Sequence, residues 1–247
     1  MKNLKFLLVI FLGSIVWNCA NPELELDEHV LTLPEFQSLN YPSEFDVDKL
    51  LKVGYPAVLG NSVTYISMTT LGSKLLKLIS KEKPYIYFEV NTDFADVGTM
   101  KMGFAGGGKI YYSPYTFEFP YRDELLFHEF VHILQNENQS PLKSRNNEIE
   151  AYLAQYLYAK NAGGSKGAML INPAFSELIR DIADNYIDEN TGMLRKGINQ
   201  EKFNKLYNDA LDILESLSGY QGEGWFSIRD TNTYYFPNII NLIKSNV

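Results

Sequence analysis

The 247-residue sequence contains one cysteine and three histidines. A lone cysteine, Cys19, cannot close an internal disulfide, so the fold must rest on its apolar core; 45% hydrophobic and 14% aromatic content suffices for one sizeable core. The chain also lacks any dense Lys/Arg cluster. Its 22 basic residues stand against 30 acidic ones, a formal net charge of -8, which leaves nothing to track a phosphate backbone and excludes nucleic acid as the expected partner. No repeat at a period of 20 to 50 residues is visible, which removes solenoids and propellers. The apolar stretch from Phe6 to Trp17 is too short to span a bilayer comfortably.

With Lys2 and Lys5 ahead of it, that stretch has the plan of a secretory signal over residues 1–18. Cys19 follows directly, and the arrangement resembles a bacterial lipoprotein signal, whose cysteine becomes the lipidated first residue. Val16 suits its place three residues before the cysteine, whereas Trp17 and Asn18 depart from the small residues of such signals. The alternative is an ordinary signal peptide with Cys19 incidental. Either reading predicts export. Removing residues 1–18 takes away Lys2 and Lys5 and leaves 20 basic against 30 acidic residues, a net of -10. Residues 19–45, with Glu23, Glu25, Asp27 and Glu28 between Pro22 and Pro34, read as a solvated tether after Cys19. The segment also resembles the acidic stretch behind the cysteine of surface-exposed lipoproteins of the Bacteroidota. That resemblance implies a bacterial cell-envelope protein, anchored in the outer membrane through Cys19 and exposed at the surface.

The spacing of Leu71, Leu75, Leu78 and Ile79 predicts one helix from Ser62 to Lys81, broken by Lys83-Pro84. The aromatic and β-branched run YIYFEV (85–90) predicts a strand. In MGFAGGGKIYYSPY three glycines follow an apolar pair, but no Lys-Ser/Thr comes at phosphate-loop spacing, so the stretch reads as a turn into a short strand, KIYYS (109–113). A helix capped by Asp123 and reaching about Gln135 follows, then a polar loop, NENQSPLKSRNN, and a helix from Glu148 to Lys160. After a turn at 161–167, amphipathic helices are expected near 173–187 and 200–217, and a short one after Pro237.

Chemistry concentrates in LLFHEFVHILQN (125–136). Residues four apart share a helix face, so ring nitrogens of His128 and His132 can converge on one cation, with Glu129 placed beside it to take a proton from a water. Around them Leu125, Leu126, Phe127, Phe130, Val131, Ile133 and Leu134 make the helix apolar nearly all round, as in a core. Two imidazoles and a carboxylate buried there are costly without a partner, and a metal ion supplies one. Zinc in a catalytic site takes three protein ligands. The remaining histidine, His29, lies in the tether and none follows His132, so the third ligand must be a carboxylate. The next helix offers Glu148 and Glu150, about 200° apart around its axis, so that only one faces the metal.

LLFHEFVHILQ followed by NNEIEAYLAQYL resembles the gluzincin metallopeptidases, and within them the compact minigluzincin type. The resemblance covers residues 85–160. It implies a zincin-like α+β fold: a small mixed or antiparallel sheet packed on the H-E-x-x-H helix and a following glutamate-bearing helix. Residues 46–167 would form that catalytic core and 168–247 a mostly helical C-terminal part of the same domain. Glu148, with Ala151 three residues on, matches the family's glutamate and is favoured as third ligand, with Glu150 in reserve; Tyr152 stands where an acid or amide is usual. The implied activity is zinc-dependent peptide-bond hydrolysis on a peptide or protein substrate, with His128, His132 and Glu148 holding Zn²⁺ and Glu129 as general base. The KIYYS strand would be an edge that holds an extended peptide. Tyr152, Tyr156, Tyr234 and Tyr235 are candidate oxyanion donors, with nothing to select among them. A reading of another class is a surface binding lipoprotein whose zinc site is structural or inactive.

Overall fold

The computed structural model describes residues 19–20, 50–51, 57–82, 85–90, 101–104, 108–113, 122–162, 172–217, 220, 229–231 and 235–246. The expected signal peptide, nearly all of the tether and the 163–167 part of the 161–167 turn lie outside these residues. Among them the fold is α+β, with seven helices and a small mixed sheet.

Three strands make the body of the sheet: β2 (Tyr87–Val90), β3 (Lys101–Phe104) and β4 (Lys109–Tyr112), with the two-residue β1 (Cys19–Ala20) paired to the outside of β3. β4 runs antiparallel to β3, with Met102 opposite Tyr112, and parallel to β2, with Tyr87 opposite Lys109. Met102, Phe104, Ile110 and Tyr112 alternate along their strands and are all buried, which gives the sheet one core face. The sheet departs from expectation at two places. KIYYS is an interior strand, not an edge, because β2 and β3 flank it on both sides. The residues MGF, read as part of the approach to a turn, belong to β3, which pairs with β4 across the glycines that end at Gly108 with φ 78°.

The helix expected from Ser62 to Lys81 is two helices, α1 (Ala57–Ser67) and α2 (Thr70–Glu82). Thr69 is the physical cause of the restart: its hydroxyl accepts the Gly72 amide at 3.0 Å, satisfying a first-turn donor of α2. Gly72 permits the tight corner. A Cβ there would lie 2.0 Å from the Ile66 carbonyl oxygen, so no other residue fits without parting the helices.

Next come α3 (Arg122–Glu137) and α4 (Ser144–Asn161). Asp123 lies inside the first turn of α3 and does not precede it. The helix ends in a left-handed turn: Gln139 takes φ 47°, its amide bonds to Asn136 O at 3.1 Å, and the Ser140 amide bonds back to Gln135 O at 2.8 Å. This closure turns the chain so that α4 packs along α3. α4 starts four residues before the expected Glu148, and its polar first turn is buried. Tertiary partners explain why: Arg145 pairs with Glu215 at 2.9 Å, Asn146 donates to the Tyr207 hydroxyl at 2.8 Å, and Asn147 accepts from the Ser140 hydroxyl at 2.7 Å.

The C-terminal part contributes α5 (Pro173–Tyr186), α6 (Gln200–Ser216) and α7 (Pro237–Lys244). Asn172 caps α5 by accepting the Ala174 and Phe175 amides at 2.9 and 3.1 Å, and Asn199 caps α6 by accepting the Lys202 amide at 2.9 Å. α5 and α6 pack on α4, while α7 lies against α2, α3 and α4. One continuous apolar core therefore runs from Leu50 to Ile243. No helix among the described residues is long and apolar enough to cross a membrane.

Candidate metal centre

α3 buries every residue from Leu125 to Gln135, including His128, Glu129 and His132, because β3 and helices α1, α2 and α4 surround it. α4 brings Glu148 against the two histidines. His128 Nε2 and His132 Nε2 are 3.0 Å apart, Glu148 Oε1 is 3.4 Å from His132 Nε2, and Glu148 Oε2 is 3.5 Å from His128 Nε2. Ligand bonds of about 2.0–2.1 Å in a tetrahedral arrangement set ligand atoms about 3.3 Å apart. The triangle of two nitrogens and one carboxylate thus has the size of one face of such a tetrahedron. His128, His132 and Glu148 form the one potential metal-holding group of three or more such residues among those described.

The electrostatics of the triangle favour positive charge. Burial alone pushes His132 down, but the charge and hydrogen bond of Glu148, with Glu129 and Gln135 behind them, outweigh it and raise His132 to about 9. His128 goes the other way, lowered to about 4, chiefly by burial and then by the neighbouring His132, against the opposing influence of Glu148 and Gln155. Burial works to raise Glu148, but the two histidines hold its carboxyl well below the usual carboxylate range. An ionised carboxylate facing two ring nitrogens is an arrangement that could hold a metal ion.

The side chains around the triangle set its orientation. Gln135 Oε1 lies 2.7 Å from His132 Nδ1, an acceptor that holds a proton on Nδ1 and turns Nε2 to the triangle. Tyr152 stands beside His128. Its ring packs on the imidazole with centroids 4.3 Å apart, and its hydroxyl pairs with the Tyr220 hydroxyl at 2.8 Å. Gln155, two helical turns beyond Glu148, also bears on His128 and works to raise its pKa. Neither glutamine was singled out from the sequence. The signal was present, since Gln135 follows His132 by three residues and Gln155 follows Glu148 by seven, spacings that share a helix face.

Glu150, the reserve ligand, is no part of the triangle. Oε1 accepts the Asn238 and Ile239 amides at 2.7 and 3.2 Å, and Oε2 accepts Asn238 Nδ2 at 2.8 Å and Gln135 Nε2 at 3.1 Å. Burial raises its pKa against the pull of these donors. Glu129 is fully buried beside the histidines and bears electrostatically on His132. Of the tyrosines considered as donors, Tyr156 gives its hydroxyl to Asp184 at 2.8 Å, Tyr235 is exposed, and Tyr234 lies outside the described residues. The side chain of Cys19 lies outside them as well; only its backbone, opposite Met102, is described.

Comparison with known protein families, with characterised proteins and with solved structures found no match to this chain.

Proposed function

We propose that the chain is a zinc metallopeptidase of gluzincin type, with a zincin-like core, exported to the bacterial cell envelope and held in the outer membrane by a lipid on Cys19. The observation that carries the reading is the His128–His132–Glu148 triangle with Glu129 one residue after the first histidine. His128 and His132 would hold the metal through Nε2, and Glu148 through its carboxylate. When bound, Zn²⁺ supplies Lewis acidity that favours ionisation of water and polarises a carbonyl. Glu129 accepts the water's proton as the peptide carbonyl is attacked, then delivers it to the leaving amine. Gln135 keeps His132 in the tautomer that presents Nε2, and the apolar wall of α3 keeps the site dry, where charge interactions are strongest.

The test pairs metal content with peptide hydrolysis for the wild type and Glu129→Gln. The expected outcome is one zinc per chain in both and a fall in hydrolysis of about 10²–10⁴-fold in the variant. Full hydrolysis by Glu129→Gln would sink the mechanism. One observation favours the second reading, a surface binding lipoprotein with a structural or inactive zinc site: all four site residues are 0–2% exposed. Stoichiometric zinc in a wild type that cleaves no peptide supports that reading instead.

A further inference from the structure

We infer that Glu150 is a positioning residue for the metal centre, acting through Gln135 on His132 and tying that histidine to the first turn of α7. The inference rests on the metal-centre reading above and extends it to a helix about a hundred residues further along the chain.

The direction of every hydrogen bond along this path is fixed by chemistry. α7 begins at Pro237 without a side-chain cap of its own, so its first-turn amides need an acceptor. Glu150 supplies it from α4: one carboxylate oxygen takes the amides of Asn238 and Ile239, at 2.7 and 3.2 Å. The other oxygen takes Asn238 Nδ2 at 2.8 Å and Gln135 Nε2 at 3.1 Å. All four contacts are donors, so Glu150 acts here only as an acceptor.

Gln135 is oriented in turn. Its Nε2 faces the Glu150 carboxylate and the Asn147 carbonyl oxygen, the latter at 2.9 Å, and both can only accept. The amide therefore cannot flip, and its Oε1 must be the atom that meets His132 Nδ1 at 2.7 Å. An acceptor at Nδ1 fixes one ring proton there and makes Nε2 the nitrogen that faces His128 and Glu148. Every member of the path is 0–2% exposed, so water does not compete for these bonds.

α7 is itself held at both ends and the middle. A Cβ on Gly192, which has φ +69°, would lie 2.9 Å from Ile240 Cα, so the turn before α6 packs directly on the α7 backbone. Lys74 Nζ of α2 donates to the Ile243 carbonyl at 2.6 Å. The path thus ends on a fixed element.

The experiment measures the Zn²⁺ dissociation constant by competition with a chelator, and the visible absorption spectrum of the Co²⁺-loaded protein, which reports ligand geometry. It uses the wild type, Gln135→Leu, Glu150→Gln and the double variant. Glu150→Gln puts an amide donor among donors and releases Gln135 to flip. Each single variant is expected to weaken zinc binding about 10–100-fold, the usual effect of losing a partner behind a ligand. Each should also shift the Co²⁺ spectrum, and the double variant should bind no more weakly than Gln135→Leu alone, because Glu150 acts through Gln135. Asn238→Ala removes one donor from Glu150 but keeps its charge and both backbone donors, and tests the same path at less structural cost; a weaker shift in the same direction is expected. Wild-type affinity and an unchanged Co²⁺ spectrum in Glu150→Gln or Asn238→Ala, despite altered thermal stability, would reduce Glu150 to a helix cap and overturn the inference. A wild type that binds no metal would overturn the metal centre itself, and this inference with it.

Discussion

Helices α5 and α6 bury Phe175, Ile179, Ile182, Ala183 and Tyr186, and Phe203, Tyr207, Ala210, Leu211 and Leu214, at spacings of three and four, with Glu177, Arg180, Lys205 and Asp209 in ion pairs toward solvent. Helices α3 and α4 show no such stripe. α3 buries eleven residues in a row from Leu125 to Gln135, and α4 twelve from Ser144 to Gln155, polar ones included. The first pair is a surface layer, where one face meets the core and the other meets water. The second pair is enclosed, so each polar side chain must find a protein partner or a ligand. A buried imidazole or carboxylate on α3 or α4 is therefore constrained from all sides, whereas the same residue on the outer face of α5 or α6 is simply solvated.

The largest effect is expected from Glu148→Ala, which removes one corner of the triangle: zinc affinity, measured by chelator competition, should fall by more than the roughly 10–100-fold cost of an outer partner. Equal zinc binding in Glu148→Ala would end the separation of the two helix pairs into site and support. Next, Phe203→Ala on α6 should cost about 3–5 kcal/mol in denaturant unfolding, since the ring is fully buried between Tyr186 and Tyr207, and should leave zinc affinity unchanged in the folded fraction. A loss of affinity there would join the two pairs functionally.

A smaller effect concerns charge at the start of α3. Burial raises Glu124 to about 7, with Asp123 adding to the shift and Arg122 opposing it. Its folded-state pKa lies above its value of 4.5 in the unfolded chain, so the stabilisation is present below pH 4.5 and is lost as pH rises through about 7. Glu124→Gln should accordingly flatten the fall in thermal midpoint between pH 4.5 and 7 and be the more stable form at pH 8. An unchanged pH profile would mean that this carboxyl is solvated as on α5 and α6. The smallest change is Gln139→Gly at the turn between α3 and α4. The exposed glutamine holds φ 47°, and glycine should add about 0.5–1 kcal/mol to unfolding stability without altering zinc affinity.

Much of the surface layer was legible. The helices expected near 173–187 and 200–217 appear as Pro173–Tyr186 and Gln200–Ser216, because a one-sided apolar stripe with an Asn cap is written locally. The enclosed pair was legible only in part. The first turn of α4 reads as a polar loop, since the partners that bury Arg145, Asn146 and Asn147 come from α6, from the stretch before α7 and from the α3–α4 turn. Strand β3 was hidden for a similar reason: four residues interrupted by Gly103 carry too little pattern, and pairing with β4 is what makes them a strand.

The sequence by itself determined the pairing of His128 with His132 and the position of Glu129 between them, because helical geometry carries residues four apart onto one face whatever surrounds the helix. It also narrowed the candidates for a third ligand to two glutamates, since no histidine remained. Which of the two lies against the histidines depends on the tertiary packing. Glu148 and Glu150 point to different sides of α4, and the side that meets the histidines depends on how α4 rotates against α3 and on where α7 docks. α7 presents two amides and an asparagine to Glu150, an acceptor's surroundings, while the two imidazoles meet Glu148. That division follows from long-range packing, which no local spacing encodes.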